Sequence, residues 1–430
     1  MTANWEIKTL DELVESTLIG LVKNKSEQGD NKAFMYIKMH NITADNKLDI
    51  SKIVRVDALA EEVEKYKLSE GDFLFNTRNS HELVGKSCIF SMHQMQPILF
   101  NNNIMRIRFT PEVDSKFIAY SFSSQYISEQ LESIKNGTTN VSAIYYSSLK
   151  NVAITYPPLS EQKRIVAILD EAFEGIDRAI ANTEKNLANS RELFESYLNA
   201  IFTQKGDGWV EKKLGNLLGT LTDYHANGSY EILKRNVSLL DNDGYAYMVR
   251  STDFENNFTN NLKYIDKHAY EFLSKSKVFG GEIIISKIGN AGKVYLMPSI
   301  DRPCSLAMNL FLLRTDVDQI RSDYLYFFLE SRFGKVQISE RLNGTTTKTI
   351  RKDGIRSLNI LVPPLPEQKN IVNKLDSIVF ETQRLETIYH QKLAALNELK
   401  QSILQKAFTG ELTADTANQT IKAAQEANAA

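Results

Sequence analysis

PPLSEQKRIVAILD, residues 157–170, returns as PPLPEQKNIVNKLD at residues 363–376, with ten of the fourteen positions identical at an offset of 206. An internal repeat of this kind governs the organisation of a chain before any single motif does. The offset persists downstream, carrying Leu198, Phe202 and Thr203 onto Leu404, Phe408 and Thr409. Upstream, WEIKTLDEL from Trp5 matches WVEKKLGNL from Trp209, and these are the two tryptophans of the chain. NGTT at 136–139 recurs at 343–346, Gly85-Lys86 as Gly292-Lys293, Asn103 as Asn309, and Gly71-Asp72 as Gly281-Glu282. Each copy thus has a divergent part followed by a better-matched part. The boundaries read as a module over 1–156, a helix over 157–204, a second module over 205–362 and a second helix over 363–412. A polar, alanine-rich tail over 413–430 is expected to be disordered.

After each double proline the apolar positions recur at steps of three and four. Ile165, Leu169, Ile176 and Leu187 mark the first copy, and Ile371, Leu375, Leu385 and Leu396 the second. A period near 3.5 predicts a helix-pairing seam, into which Asp at position 176 or 385 would bring an unpaired charge. Pro366 suits a first helical turn, Glu161 and Glu367 complement the helix dipole, and Gly206 and Gly410 fall where left-handed caps are expected. At 1.5 Å per residue each rod would be roughly 60 Å long. Because a folded module separates the two helices, antiparallel pairing is the simpler closure. Phe173, Leu193, Leu198, Val379, Ile388 and Leu404 widen the apolar stripe beyond a two-helix seam, implying further packing against the modules or partner subunits.

Within the modules, GDFLFNTRNS and GEIIISKIGN read as glycine-led strands entering polar loops, and NIMRIRF and NLFLLR as buried strands. SKFIAYSFSSQYISEQLESI and SDYLYFFLESRFGKVQISERL have helical spacing, and NGTT is a turn. A last strand, NVAITY or SLNILV, precedes the double proline. The expected class is α+β: two tandem α/β modules joined by two long antiparallel coiled-coil helices in a pseudo-twofold repeat.

Composition removes several function classes. The 430 residues carry 51 basic and 53 acidic side chains, so nucleic acid or another anionic surface must be met by local patches. Cys88 and Cys304 are too few for a disulfide scaffold or a thiolate zinc site and suit a reducing cytosol. No signal peptide and no membrane-spanning run is read, so the expected location is cytoplasmic. SHELVGKS at 80–87 has Ser80 where a phosphate-binding loop needs its first glycine, and the second copy ends Gly292-Lys293-Val294 without the hydroxyl. YPPL at 156–159 and VPPL at 362–365 lack the polar and aromatic groups of an adenine-methylating site and read as strand-to-helix turns. The six histidines, among them His40, His81 and His93, show no paired spacing, so no metal site and no catalytic residue are expected.

What the modules do hold is a supply of amide, hydroxyl and basic groups on turn-like segments. In the first these are Lys38, His40, Asn41, Thr77, Arg78, Asn79, Lys86, Asn102, Thr138, Thr139 and Asn140. In the second they are Arg250, Ser251, Thr252, Ser286, Lys287, Asn290, Lys293, Thr345, Thr346, Thr347 and Lys348. Asn reads adenine edges, Arg and Lys read guanine, and Thr packs on thymine methyl or binds phosphate. Solvated loops with local turn hydrogen bonds are the bland alternative for any single one of them. Lys86 and Lys293 are expected to act on the DNA backbone.

PPLSEQKRIVAIL, PPLPEQKNIVNKL and the helix end AFTGELT at 407–413, with the Trp5/Trp209 starts and FTQKGDGW at 202–209, resemble the specificity (S) subunit of type I restriction-modification systems. The resemblance covers essentially the whole chain, with Glu282 departing from the usual Gly-Asp. It implies that each module is a target-recognition domain reading half of a bipartite, gapped duplex DNA site. The paired helices would set the gap and dock two methyltransferase (M) subunits, which bind S-adenosylmethionine. Motor-nuclease (R) subunits would bind ATP and Mg, leaving no cofactor in this chain. A coiled-coil adaptor whose modules bind protein is the alternative, and an independent methyltransferase or nuclease is disfavoured by the missing motifs.

Overall fold

In the computed structural model, which describes residues 5–92, 96–203 and 206–412, each double proline ends a strand and begins a helix. Ala153–Tyr156 leads into Leu159–Thr203, and Asn359–Val362 into Leu365–Thr409, each helix having 45 residues. The expected tail 413–430 and His93 lie outside the described residues.

The glutamine shared by the two repeats explains why this junction is built twice. Gln162 and Gln368 are fully buried. Gln162 accepts from Asp114 N (2.9 Å) and donates to Pro157 O (2.8 Å), while Gln368 accepts from Arg321 N (2.9 Å) and donates to Pro363 O (2.8 Å). Each amide therefore closes the turn behind it and pins the loop that enters the module's next helix. A buried amide left unpaired there would cost about 1–3 kcal/mol. Gly410 has φ +82, as expected of a left-handed cap, but Gly206 does not; Gly208 holds that conformation instead. A Cβ on Gly206 would lie 2.6 Å from the Trp209 indole nitrogen, which donates to Glu367 Oε1 at 2.8 Å. The glycine is needed there for close approach, and Trp209 fastens the module to the first turn of its helix.

The chain divides into two compact units, residues up to Glu184 together with those from His390, and Lys185–Tyr389. In the first, Ile165, Leu169 and Ile176 share a core with Leu396, Ile403 and Leu404 and with the module. In the second, Leu198 and Phe202 share one with Ile371 and Leu375. Each fully buried Leu or Phe contributes roughly 1.5–3 kcal/mol. Asp177 pairs with Lys400 at 3.0 Å in the first unit, and Arg191 with Glu386 at 2.6 Å in the second. Between these contacts one helix advances fourteen residues as the other retreats fourteen, so the helices run antiparallel. The seam is unequal along its length. Leu187 and Leu385 are only half-buried, and Thr183 and Ser190 are buried.

Both modules have the same four-stranded principal sheet. Val14–Ile19, Ile104–Phe109, Phe73–Asn76 and Ser87–Ile89 lie side by side in an antiparallel sheet, and Leu218–Asp223, Leu310–Thr315, Ile283–Ser286 and Val294–Leu296 repeat that order. A smaller sheet has a parallel central pair, Phe34–Ile37 with Ile98–Phe100 and Ala246–Val249 with Cys304–Leu306. The first strand of each module pairs with its last, Glu6–Thr9 with Ala153–Tyr156 and Val210–Lys213 with Asn359–Val362. The segments with helical spacing are each two helices. Ser124 and Ser331 interrupt them and accept from Ile127 N and Gly334 N as N-caps. The departure at Glu282 is harmless: Arg314 meets it at 3.3 Å where Arg108 meets Asp72 at 2.6 Å.

Candidate nucleic-acid interface

In the first unit, backbone hydrogen bonds gather segments that are distant in sequence. Thr77 N and Oγ1 both donate to Asn103 O (2.9 and 3.1 Å), and Ile144 N donates to Thr77 O (2.9 Å). Arg78 and Asn79 pair with Ala143 and Ser142 across a short ladder. Lys86 donates to Met39 O at 3.2 Å and to Ile42 O, and Asn103 Nδ2 meets Met39 Sδ at 3.2 Å. Residues 38–42, 77–79, 86, 101–103 and 138–144 therefore converge. A cleft of about 420 Å³ opens among them, lined by Thr17, Ile19, Thr77, Arg78, Tyr145 and Tyr146.

The second unit repeats the main-chain part of this framework. Lys287 N donates to Asn309 O (2.8 Å), Ile350 N to Lys287 O (3.1 Å), and Ile288 bridges Thr349 as Arg78 pairs with Ala143. Gly85 N→Asn76 O and Asn76 N→Lys86 O are matched by Gly292 N→Ser286 O and Ser286 N→Lys293 O. Ile19 lies opposite Met105, which lies opposite Phe75; Asp223 lies opposite Phe311, which lies opposite Ile285. Structural equivalence therefore places Ile19 with Asp223, Thr77 with Lys287, Arg78 with Ile288, Tyr145 with Arg351 and Tyr146 with Lys352.

Many of the expected contact residues turn out to be engaged within the protein. Asn41 is buried, donating to Asp49 O (2.8 Å) and accepting from Lys38 N (2.9 Å). Lys38 Nζ donates to Gln28 Oε1 at 3.0 Å, and His40 Nε2 lies 3.3 Å from Lys52 O. Asn79 links Asn76 Oδ1 and Ser80 N, and Asn102 Oδ1 accepts from Asn101 Nδ2. Burial holds the Lys86 ammonium below the ordinary lysine range while its hydrogens serve two carbonyls. Ser286 is buried, and Arg250 forks onto Asp253 (2.6 and 3.2 Å). Lys293 and Asn290 both reach Glu255, at 3.0 and 3.3 Å. Ser251 and Thr252 line a separate, mostly apolar pocket of about 520 Å³ with Tyr224, His225, Tyr230 and Met308.

Lys287 has the strongest internal claim. Its ammonium lies 2.8 Å from the buried Asp223 carboxylate and 4.9 Å from the Phe311 ring centroid, and Lys352 reaches the same carboxylate at 3.2 Å. Burial raises the Asp223 carboxyl, but hydrogen bonds and charge from the two lysines outweigh it and hold the group below its usual range. At the matching place in the first module Tyr146 donates to Asp11 Oδ1 at 2.8 Å. Burial, and then Asp11, push its phenol up to about 12.

The groups left facing outward are fewer. Thr138, Thr139 and Asn140 form an exposed hairpin tip whose turn needs Gly137 (φ +135), because a Cβ there would meet Val141 O at 2.3 Å. Thr345, Thr346, Thr347 and Lys348 form the equivalent tip after Gly344 (φ +98). Among the described residues the side chains of Arg78, Lys348 and Arg351 make no hydrogen bond or ion pair. Arg351 and Tyr145 were not among the expected contact residues, although the 206-residue offset already aligns Tyr145-Tyr146 with Arg351-Lys352.

Two chemistries weighed on sequence find no support in this geometry. Gly85-Lys86 runs into the strand Ser87–Ile89 and not into a helix whose N-terminus could take a phosphate. Both PPL segments are strand-to-helix turns. Among the described residues no group of three or more His, Cys, Asp or Glu is arranged to hold a metal ion, and no helix is long and apolar enough to cross a membrane.

Comparison with known proteins agrees with the duplicated architecture. The family model for the type I restriction modification DNA specificity domain matches the chain twice, over residues 2–188 and 207–396. The putative type I restriction enzyme MjaX specificity subunit of Methanocaldococcus jannaschii is 25% identical, the match covering 96% of this chain and 95% of that protein. The EcoKI specificity subunit of Escherichia coli K12 is 24% identical over 93% of this chain and 88% of its own length. Among solved structures, one from work on complex assembly and conformational transition of the type I R-M system superimposes with a TM-score of 0.73, at 19% identity over 96% of this chain and 99% of that one. The HsdS subunit from Thermoanaerobacter tengcongensis gives 0.58, also at 19% identity, over 96% and 98% of the two chains.

Proposed function

Because the chain belongs to the type I restriction-modification DNA specificity family, we propose that it reads a bipartite, gapped duplex target, one half with each module. The observation that carries this reading is the cleft framework built twice on the same hydrogen bonds but lined by different side chains. One scaffold with two linings is what reading two different half-sites requires, since base edges are distinguished by side-chain donors, acceptors and methyl contacts. The long antiparallel helices supply a spacer of fixed length and a surface for two methyltransferase subunits. Leu193 and Phe380, both exposed, offer apolar area for that docking. The chain acts as a non-catalytic subunit in the cytoplasm. S-adenosylmethionine is bound by the methyltransferase partners, and ATP with Mg by motor-nuclease partners. Thr138–Asn140 and Thr345–Lys348 are proposed to approach the duplex, with Lys348 on phosphate. Lys86, Lys287 and Lys293 shape the clefts from within.

The test is an exchange of segment 205–362 for the matching segment of a relative, with the methylated motif mapped in cells carrying the complex. One half of the motif should change and the other should stay. An unchanged motif would favour an adaptor whose modules bind protein.

A further inference from the structure

The duplicated framework makes the two modules comparable residue by residue, and the side chains it presents differ. Arg78 stands on the short ladder of the first cleft, opposite Ala143, and the same ladder position of the second is Ile288, opposite Thr349. Across the cleft the order is reversed: the first module carries Tyr145 where the second carries Arg351. All four side chains are exposed, Tyr145 at 54% and Ile288 at 43%. Each framework thus presents one free guanidinium and one exposed apolar or aromatic side chain, in exchanged places.

In the first module the freedom of the guanidinium is selective. The first module has four arginines. Arg55 donates to Lys32 O and Ala33 O, Arg106 to Lys67 O, and Arg108 to Asp72; among the described residues Arg78 has no partner. Arg78, on a strand ladder beside an open cleft with its planar fork unoccupied, matches the geometry that reads the O6 and N7 acceptors of guanine, and Arg351, held beside the bond from Ile350 N to Lys287 O, presents an equally unoccupied fork. An exposed Ile or Tyr at the opposite position suits contact with a thymine methyl or a base edge.

We propose that Arg78 and Arg351 are the guanine-reading residues of the two modules, acting from different positions of equivalent loop frameworks, and that Ile288 and Tyr145 make the apolar contact beside each. This rests on the DNA-recognition reading above. The two modules would then read their half-sites with opposite local order of guanine contact and apolar contact, although their backbones are the same.

The experiment is methylation-motif mapping of the complete complex with its methyltransferase subunits, for wild type, Arg78→Ala, Arg351→Ala and the Arg→Lys variant at each position. Arg78→Ala should relax discrimination at one G·C pair of one half-site by about 10- to 100-fold, and Arg351→Ala should do so in the other half only. Lysine should restore overall affinity but only part of the discrimination, since it lacks the fork. A motif that stays intact while affinity falls uniformly would overturn the assignment in favour of phosphate contact. So would relaxation of the same half by both variants, or a variant that fails to fold, because neither guanidinium is assigned an internal contact. A wild-type complex with no sequence preference at all is a different result and would overturn the function itself.

Discussion

Ile19, Thr77 and Tyr146 line the first module's cleft; their structural equivalents in the second module are Asp223, Lys287 and Lys352. The strands beneath are in the same register and the same main-chain hydrogen bonds hold the loops. The first set is neutral, whereas the second is an ion triplet packed on Phe311. A framework secured by main-chain bonds tolerates this substitution because none of those bonds depends on the side chains it presents. Recognition can therefore diverge without the fold following it.

The largest test of this contrast removes the charge at its centre. Asp223→Ala leaves two lysines facing an apolar ring without a counter-ion and should cost the second unit about 3 kcal/mol. Ile19→Ala, at an exposed place, should cost under about 1 kcal/mol. Local stabilities from hydrogen exchange resolve the two units; similar losses at both sites would break the contrast. The shared framework should instead respond alike. Gln162→Leu and Gln368→Leu each strand the loop amide they accept from and should cost about 2 kcal/mol, within error of one another. A marked inequality there would show that the junctions are not equivalent.

Lysines sort next. Lys86→Met should lower stability by about 1 kcal/mol and leave the salt dependence of DNA binding unchanged, since its hydrogens already serve Met39 and Ile42. Lys348→Ala should leave stability unchanged and reduce the salt slope by about one. The reverse pattern in salt titrations would restore Lys86 as a phosphate contact. The smallest effect is on pH dependence. The Asp223 carboxyl is lower in the folded state than the unfolded value of about 3.9, so its stabilisation is complete above that value and fades as pH falls through the folded one. Asp223→Asn should flatten the acid limb of the second unit's stability below about pH 4, and Ile19 gives the first cleft no such limb. An unaltered acid limb would mean that the triplet carries no net linkage.

The helices, the main strands and the double-proline turns could be read directly from spacing, because period and punctuation are local properties. The offset also aligned the two clefts before any coordinates, and inspecting it further would have exposed the Tyr145/Arg351 exchange. What spacing could not show is which polar groups are already taken. Lys86 meets carbonyls 44 and 47 residues away, and Lys287 a carboxylate 64 residues away. Those separations are set by sheet topology. The breaks at Ser124 and Ser331 were hidden for a related reason: apolar spacing continues through them, and only the capping hydroxyl marks the stop.

Only one of the two compact units is a continuous stretch of chain: the first takes Leu396, Ile403, Leu404 and Ala407 into the core of a module that ends some 240 residues earlier. During synthesis the amino-terminal reader therefore emerges with one side of its hydrophobic core open and stays so until the last helix leaves the ribosome. The second unit, whose residues are all made by then, can close first. A nascent chain stalled before residue 390 should thus be a substrate for chaperones at its beginning, not at its end.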